Sequence, residues 1–251
     1  MFEKSIARYL QKYEYSSIQL KAVLFDMDGV LFNSMPYHAD AWHKVMERHG
    51  LHLSREEAYM HEGRTGASTI NIVYQRQYGK DATSKMIENI YAEKSKEFST
   101  YPEPECMPGA KEVLEKTKLE GLTPILVTGS GQHSLLERLV HNFPGIFQRQ
   151  RMVTAFDVKY GKPHPEPYLM GLAKAGVKPN EAMVVENAPI GVQAGVAAGI
   201  FTVAVNTGPI DDQVLLDAGA DVLFPSMQAL CDNWEALQTA LKQKTVRNAI
   251  F

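Results

Sequence analysis

The stretch Lys21-Ala22-Val23-Leu24-Phe25-Asp26-Met27-Asp28-Gly29-Val30-Leu31 decides how this chain folds. Residues 22 to 25 form a short apolar run, the pattern of a strand buried on both faces of a parallel sheet. Asp26 stands where that strand ends, and Asp28 follows two residues on, beside the turn glycine Gly29. In open α/β sheets, ligands gather at the carboxyl ends of the strands. Two carboxylates placed there repel each other unless a cation joins them, so a hard metal, Mg²⁺, is the first inference. An aspartate at a strand end with a second close by suits phosphoryl transfer through an aspartyl-phosphate: Asp26 as nucleophile and metal ligand, Asp28 as general acid and base. The competing reading is that both are polar strand-end caps.

Outward from this stretch, further strands are expected at 123–127, 151–154, 182–185, 201–205 and 221–224, separated by helical patterns. That alternation argues for a parallel sheet with helices on both faces. Residues 34 to 103 break it with helical patterns only, at Tyr37 to Arg48, Ser68 to Gln77 and Met86 to Phe98, and read as an inserted helical domain. Its exits, Asn33-Ser34-Met35-Pro36 and Tyr101-Pro102-Glu103-Pro104, are candidate hinges stiffened by proline. The expected division is a core of 1–33 and 104–251 and an insert of 34–103. Residues 1–20 form an amphipathic helical extension that packs on the body of the protein, with a partner or membrane helix as the alternative.

Composition narrows the classes of function. The 251 residues carry a formal net charge of -3, which gives no general basic surface for nucleic acid. No apolar stretch has the length of a membrane span. Cys106 and Cys231, far apart, argue against a disulfide framework and a cysteine zinc site and fit a cytoplasmic setting. A small-molecule enzyme, read as a monomer, remains.

Three more stretches carry chemistry. In Ile125-Leu126-Val127-Thr128-Gly129-Ser130-Gly131 a strand ends in a hydroxyl residue and glycines. Thr128 can donate to a phosphoryl oxygen, and the N–H groups of Gly129 and Ser130 are expected to be free to form an anion-accepting concavity. The spacing is not a dinucleotide fingerprint, because Ser134 stands three residues after Gly131. In Lys159-Tyr160-Gly161-Lys162-Pro163-His164-Pro165, proline-flanked Lys162 offers a fixed ammonium to a transferring phosphoryl group. In Val184-Val185-Glu186-Asn187-Ala188-Pro189 a strand ends in two oxygen donors that can complete a Mg²⁺ shell with Asp26 and the Asp28 carbonyl; alternatively, Asn187 caps the helix that follows.

Taken in this order, the four stretches resemble the haloacid dehalogenase (HAD) superfamily over most of the chain. The insert resembles the helical cap of its β-phosphoglucomutase-like group. The resemblance implies a HAD-like, doubly wound (Rossmann-like) α/β core. It also implies Asp26 as nucleophile, Asp28 as acid/base, Thr128 and Lys162 as phosphoryl holders, and Glu186-Asn187 as the metal-side pair. Superfamily members that cleave carbon–halogen or carbon–phosphorus bonds generally lack an acid at the position of Asp28, so its presence favours phosphate-ester or phosphoanhydride chemistry.

The metal-side pair of this group is usually acidic at both positions, and here the second is Asn187. One negative charge is lost, and cation affinity follows ligand charge. Glu62, in Tyr59-Met60-His61-Glu62-Gly63-Arg64-Thr65-Gly66, sits on a glycine-hinged loop between two helical stretches. It is expected to restore that charge when the insert closes; the alternative is a solvated loop glutamate. In β-phosphoglucomutases a cap-loop arginine grips the distal phosphate of the sugar. Aligned on Gly63, this chain has Gly66 there and Arg64 two residues earlier. His38 and Lys94 match a cap histidine and a substrate-reaching lysine of that group, though either can equally be a helix-surface residue. A carboxylate and close-set basic residues in the insert suit a small, doubly phosphorylated or anhydride substrate. Met35-Pro36-Tyr37-His38, His61 to Gly66 and Glu186 to Pro189 resemble the inorganic pyrophosphatase members of the group. The expectation is a Mg²⁺-dependent phosphohydrolase acting on pyrophosphate or another small phosphorylated metabolite. A β-phosphoglucomutase is the runner-up, and a ligand-binding regulator without catalysis is the reading from another class.

Overall fold

The computed structural model describes residues 2–131 and 133–243; Met1 and 244–251 of the expected core range lie outside them. Six parallel strands form one sheet: β1 (Ala22–Phe25), β2 (Thr123–Val127), β3 (Met152–Val153), β4 (Ala182–Glu186), β5 (Phe201–Val205) and β6 (Val222–Phe224), in the order β3-β2-β1-β4-β5-β6. Among the described residues twelve α-helices accompany them: α1 (Glu3–Lys12), α2 (Met35–Arg48), α3 (Arg55–Met60), α4 (Gly66–Tyr78), α5 (Ser84–Phe98), α6 (Ala110–Leu119), α7 (His133–Asn142), α8 (Glu166–Ala175), α9 (Pro189–Ala197), α10 (Asp212–Asp217), α11 (Met227–Asp232) and α12 (Trp234–Gln243). This is the doubly wound α/β architecture. Among the described residues no helix is long and apolar enough to cross a membrane.

The strands are apolar throughout because both faces of the sheet are covered. Val23 and Phe25 pack with Met183, Val185, Phe201 and Val203 in one cluster. Ala22 and Leu24 pack with Ile125, Val127, Val184, Tyr168 and Leu172 in another. Alternate residues of a strand therefore serve opposite layers. Helix α1 joins the first cluster through Ile6, Tyr9 and Leu10. Tyr9 crosses Phe201 edge-on at 5.3 Å, and its hydroxyl donates to the Gly199 carbonyl at 2.8 Å.

Two strands are shorter than the sequence pattern predicts. β3 stops at Val153 because Thr154 turns its N–H and hydroxyl to Asp157, at 2.8 and 2.7 Å. β6 starts at Val222; ahead of it Asp221 N donates to Thr202 O and the Asp221 carboxylate accepts from the Thr202 N–H.

Between β1 and β2 the chain makes α2 to α5, which pack around their own cluster of Val45, Met46, Leu51, Leu53, Ile70, Val73 and Ile90. Ser54 and Thr65 cap α3 and α4 by accepting from Glu57 N and Ser68 N. The Thr65 cap moves the start of α4 two residues ahead of the expected Ser68. The two strands of chain that enter and leave this insert run side by side: Asn33 N donates to Glu105 O, and Met107 N donates to Leu31 O.

Candidate active site

β1 lies between β2 and β4 in the sheet, where the strand order reverses. This is the switch point at which α/β sheets open a crevice at the carboxyl ends of their strands. The ends of β1, β2 and β4 therefore bring Asp26, Thr128 and Glu186 together from positions 160 residues apart. Asp26 N donates to Val185 O, which continues the ladder by one bond and fixes the carboxylate at the rim.

Lys162 closes the gap between them. Its Nζ donates to Asp26 Oδ1 at 2.5 Å, Glu186 Oε1 at 2.6 Å and Val127 O at 3.0 Å, and the side chain is buried. Three acceptors account for all three ammonium protons. Burial works against the charge, but the two carboxylates outweigh it and hold the Lys162 pKa above the usual lysine range. Burial pushes the Asp26 carboxyl up, and Lys162 opposes that push.

Glu186, expected as a metal ligand, accepts from four protein donors in this arrangement. Oε1 accepts from Lys162 and from the Tyr168 hydroxyl at 2.8 Å, and Oε2 accepts from Asn187 N at 3.0 Å and Ala188 N at 3.2 Å. Four donors occupy its lone pairs, so in this arrangement it is the counter-ion that orients Lys162. One expectation is corrected: Ser130 N–H is not free but donates to Thr128 Oγ1 at 3.0 Å. Thr128 itself is buried at the strand end as expected.

Asp28 is aimed by residues on either side of the entry into the insert. Ser34 Oγ donates to Asp28 Oδ1 at 2.6 Å, and His38 Nε2 lies 3.2 Å from the same oxygen. Lys94 Nζ lies 2.6 Å from His38 Nδ1. A donor on Nδ1 leaves the ring proton on Nε2, facing Asp28. His38 and Lys94 are both buried, so neither is the surface residue that was the alternative. Burial lowers the pKa of His38, helped by the Lys94 charge, and lowers that of Lys94 to about 7. Burial thus favours the neutral ring, with its Nε2 toward Asp28. Burial resists ionisation of Asp28, yet His38 and Ser34 outweigh it and its pKa is lowered.

Glu62 reaches into the core. Its two oxygens accept from Asn187 Nδ2 at 2.9 and 3.0 Å, and it is only 6% exposed. The approach needs Gly29, whose φ of 79° suits glycine and whose added β-carbon would stand 2.0 Å from Asn187 Nδ2 and 3.0 Å from Glu62 Oε1. Burial, reinforced by the charges of Asp26, Glu186 and Asp28, raises the Glu62 pKa well above the ordinary range. Arg64, half-buried on the same loop, has its pKa lowered by burial, and its Nε is without a partner.

The arrangement fits a divalent cation. Asp26, Asp28, Glu62 and Glu186 converge, with Lys162 bonded to Asp26 and Glu186, and among the described residues the Asn187 Oδ1 acceptor is buried with no partner. Such crowding is costly unless further positive charge arrives. Among the described residues no three His, Cys, Asp or Glu side chains form a metal-holding group by themselves. The donor set here instead mixes the Asp26 and Glu62 carboxylates with the Asn187 amide oxygen, and the Asp28 main-chain carbonyl is a fourth candidate.

Beside these groups lies a cavity of about 60 Å³, lined from the core by Asp26, Asp28, Thr128, Gly129 and Ser130 and from the insert by His38, Glu62, Arg64, Tyr91 and Lys94. Ser34, Tyr168 and Tyr91 are the residues that the sequence reading missed. Ser34 read as part of a hinge, and Tyr168 lay unremarked in a helix that followed Lys162. Tyr91 had one signal, its place one turn before Lys94 on the same helix.

Comparison with known proteins identifies the family. The model of the haloacid dehalogenase-like hydrolase family matches residues 23–205. Hexitol phosphatase A of Escherichia coli (strain K12) is 32% identical over 218 residues, covering 85% of this chain and 94% of that protein. A phosphorylated carbohydrates phosphatase of Thermotoga maritima is 32% identical, covering 84% of this chain and 97% of that one. Among solved structures, a candidate β-phosphoglucomutase from Bacteroides vulgatus superposes with a TM-score of 0.94 at 67% identity, covering 96% of this chain and 98% of that one.

Proposed function

The chain belongs to the haloacid dehalogenase-like hydrolases, and from that premise we propose that it is a Mg²⁺-dependent phosphohydrolase working through an aspartyl-phosphate on Asp26, with pyrophosphate as its preferred substrate. One observation carries the reading: Asp26, clamped by Lys162, faces a cavity of about 60 Å³ whose other wall is supplied by Glu62, Arg64 and Lys94 of the insert. Asp26 attacks phosphorus while the leaving oxygen takes a proton from Asp28. Asp28 then accepts a proton from water, whose oxygen attacks the same phosphorus, breaks the acyl-phosphate bond and frees Asp26. Ser34 and His38 hold Asp28 in place for both transfers. Thr128 and Lys162 face the charge on the transferring group. Mg²⁺ would be held by Asp26, the Asp28 carbonyl, Asn187 and Glu62, and would supply neutralisation of the phosphoryl oxygens.

The substrate preference rests on size and charge. Pockets for drug-sized ligands run to roughly 300–1,000 Å³, and this cavity is far smaller. Arg64, whose Nε has no partner among the described residues, and Lys94 suit a second phosphoryl group better than a sugar ring. A second reading, a small-sugar phosphatase or a β-phosphoglucomutase, is favoured by the names of the relatives. The readings share the first step and differ in whether water or a sugar hydroxyl reaches the aspartyl-phosphate. The deciding assay compares phosphate release from pyrophosphate and from hexitol phosphates with isomerisation of β-glucose 1-phosphate. Robust isomerisation with negligible pyrophosphate cleavage would overturn the choice, and activity that survives Asp26→Asn would overturn the mechanism.

A further inference from the structure

Gly29 is held on both sides. Its N–H donates to Phe32 O at 2.8 Å, and its carbonyl accepts from Thr207 Oγ1 at 2.6 Å. A trans peptide is planar, so its N–H and C=O point in opposite directions. The first bond therefore aims the Asp28 carbonyl, which shares a peptide with Gly29 N–H. The second bond fixes the next peptide plane. Between two fixed planes, the glycine keeps its φ of 79°, a conformation that its own flexibility would not preserve. Thr207 reaches Gly29 from the loop after β5, and that loop is braced to the core. Asn206 N donates to Phe224 O at 2.8 Å, and Asn206 Nδ2 donates to Ile210 O at 2.7 Å and Asp212 Oδ1 at 2.6 Å. Gly208, next in the loop, lies under α3 of the insert: a β-carbon there would stand 3.1 Å from Tyr59 Cδ1. Tyr59 O in turn accepts from Glu62 N at 3.3 Å. One core loop thus bears on Gly29 and on the start of the loop that carries Glu62.

We infer that Thr207 is a positioning residue for the metal site: its hydroxyl holds Gly29 so that the Asp28 carbonyl keeps its aim and Asn187 keeps the room in which it meets Glu62. The inference rests on the phosphohydrolase reading and goes beyond it, to a residue outside the lining of the catalytic cavity. Thr207 acts through Gly29 alone. The clearance there is narrow, since a β-carbon on Gly29 would stand 2.0 Å from Asn187 Nδ2. A small rotation of the Gly29 backbone is therefore felt at Asn187 on one side and at the Asp28 carbonyl on the other. Removing the hydroxyl supplies the cause of such a rotation. It takes a donor away from the carbonyl of a buried residue, and a buried carbonyl that loses its donor turns toward another donor or water because leaving it unpaired is costly. Metal ligands depend on the bonds that orient them, and here the oriented ligand is a main-chain oxygen.

The test titrates Mg²⁺ into the full chain without substrate and reads its affinity by calorimetry, in wild type, Thr207→Val, Thr207→Ala and Thr207→Ser. Thr207→Val keeps the shape and removes the donor, while Thr207→Ser keeps the donor. Thr207→Val and Thr207→Ala are expected to bind Mg²⁺ about tenfold more weakly, the low end for lost support of a metal ligand. Thr207→Ser is expected to keep the wild-type affinity. Melting temperatures measured beside the titration separate positioning from structure. A merely structural hydroxyl would lower the metal-free melting temperature and leave the Mg²⁺ affinity of the folded protein unchanged, and that result overturns the inference. Thr207→Ser as weak as Thr207→Val overturns it too, because the donor is still present. If Thr207→Val does not fold, Thr207→Ala decides. A wild type that binds no Mg²⁺ would refute the metal-dependent function, while equal affinities in wild type and the donorless variants would refute the role of Thr207 alone.

Discussion

Glu62→Gln separates a metal-completing carboxylate from a merely structural one. The substitution keeps the side-chain shape and an oxygen that can accept from Asn187 Nδ2, now 2.9 and 3.0 Å from the two carboxylate oxygens. It removes one negative charge from a buried group crowded by Asp26, Glu186 and Asp28. Without metal, loss of that charge relieves repulsion, so the melting temperature is expected to stay the same or rise. With metal the sign reverses, because a hard cation loses ligand charge. Taking a tenfold loss of affinity, the low end for altered ligand surroundings, the linkage can be worked through. At Mg²⁺ a hundredfold above the wild-type Kd, binding stabilises by about 2.7 kcal/mol, and a tenfold weaker site keeps about 1.4 kcal/mol. For a chain of this size, 1 kcal/mol moves Tm by about 2–4 °C, so the variant should forfeit roughly 3–5 °C of the Mg²⁺-induced shift. Differential scanning fluorimetry with and without Mg²⁺ measures both arms. Equal Mg²⁺-induced shifts in the two proteins would refute the reasoning.

Lys162→Met should leave Asp26 and Glu186 buried without their counter-ion and cost about 3–5 kcal/mol, read as a lower urea midpoint; a loss under ~1 kcal/mol would show that the ammonium is not what holds the site. A pH effect is expected far from the site, at Asp221, whose carboxyl is pushed up to about 6 chiefly by burial, with the Thr202 N–H and the Arg8 and Lys12 charges opposing. A carboxyl whose folded pKa exceeds its unfolded value binds its proton more tightly in the fold, so stability falls as pH rises from about 4 to 6. Asp221→Asn, able to keep the bond from Thr202 N, should flatten that slope by up to ~3 kcal/mol across the window; an unchanged slope in urea titrations at pH 4 and 7 would refute it.

Local pattern alone determined the sheet and the residues at its rim. A buried parallel strand must be apolar on both faces, so the run 22–25 announced itself, and a carboxylate that follows such a run must sit at its end. Asp26, Asp28 and Thr128 were legible for that reason, and Lys162 as a proline-flanked loop lysine ahead of a helix. Short edge elements were read less well, because β3 ends where Thr154 finds Asp157, a competition between side chain and ladder that periodicity does not encode. The tertiary structure decided what those rim residues touch. Lys94 meets His38 across 56 residues, and Asn187 meets Glu62 across 125. The second contact exists only because Gly29 leaves room for it. On sequence alone Glu62, His38 and Lys94 each had an equally good reading as solvated helix or loop residues. Burial separates the two readings, and burial depends on how the insert lies over the sheet. The same dependence hid Tyr91 and the bond from Lys162 to Glu186. A residue's chemical type and its place along a strand are local properties; its neighbours are a property of the whole packing.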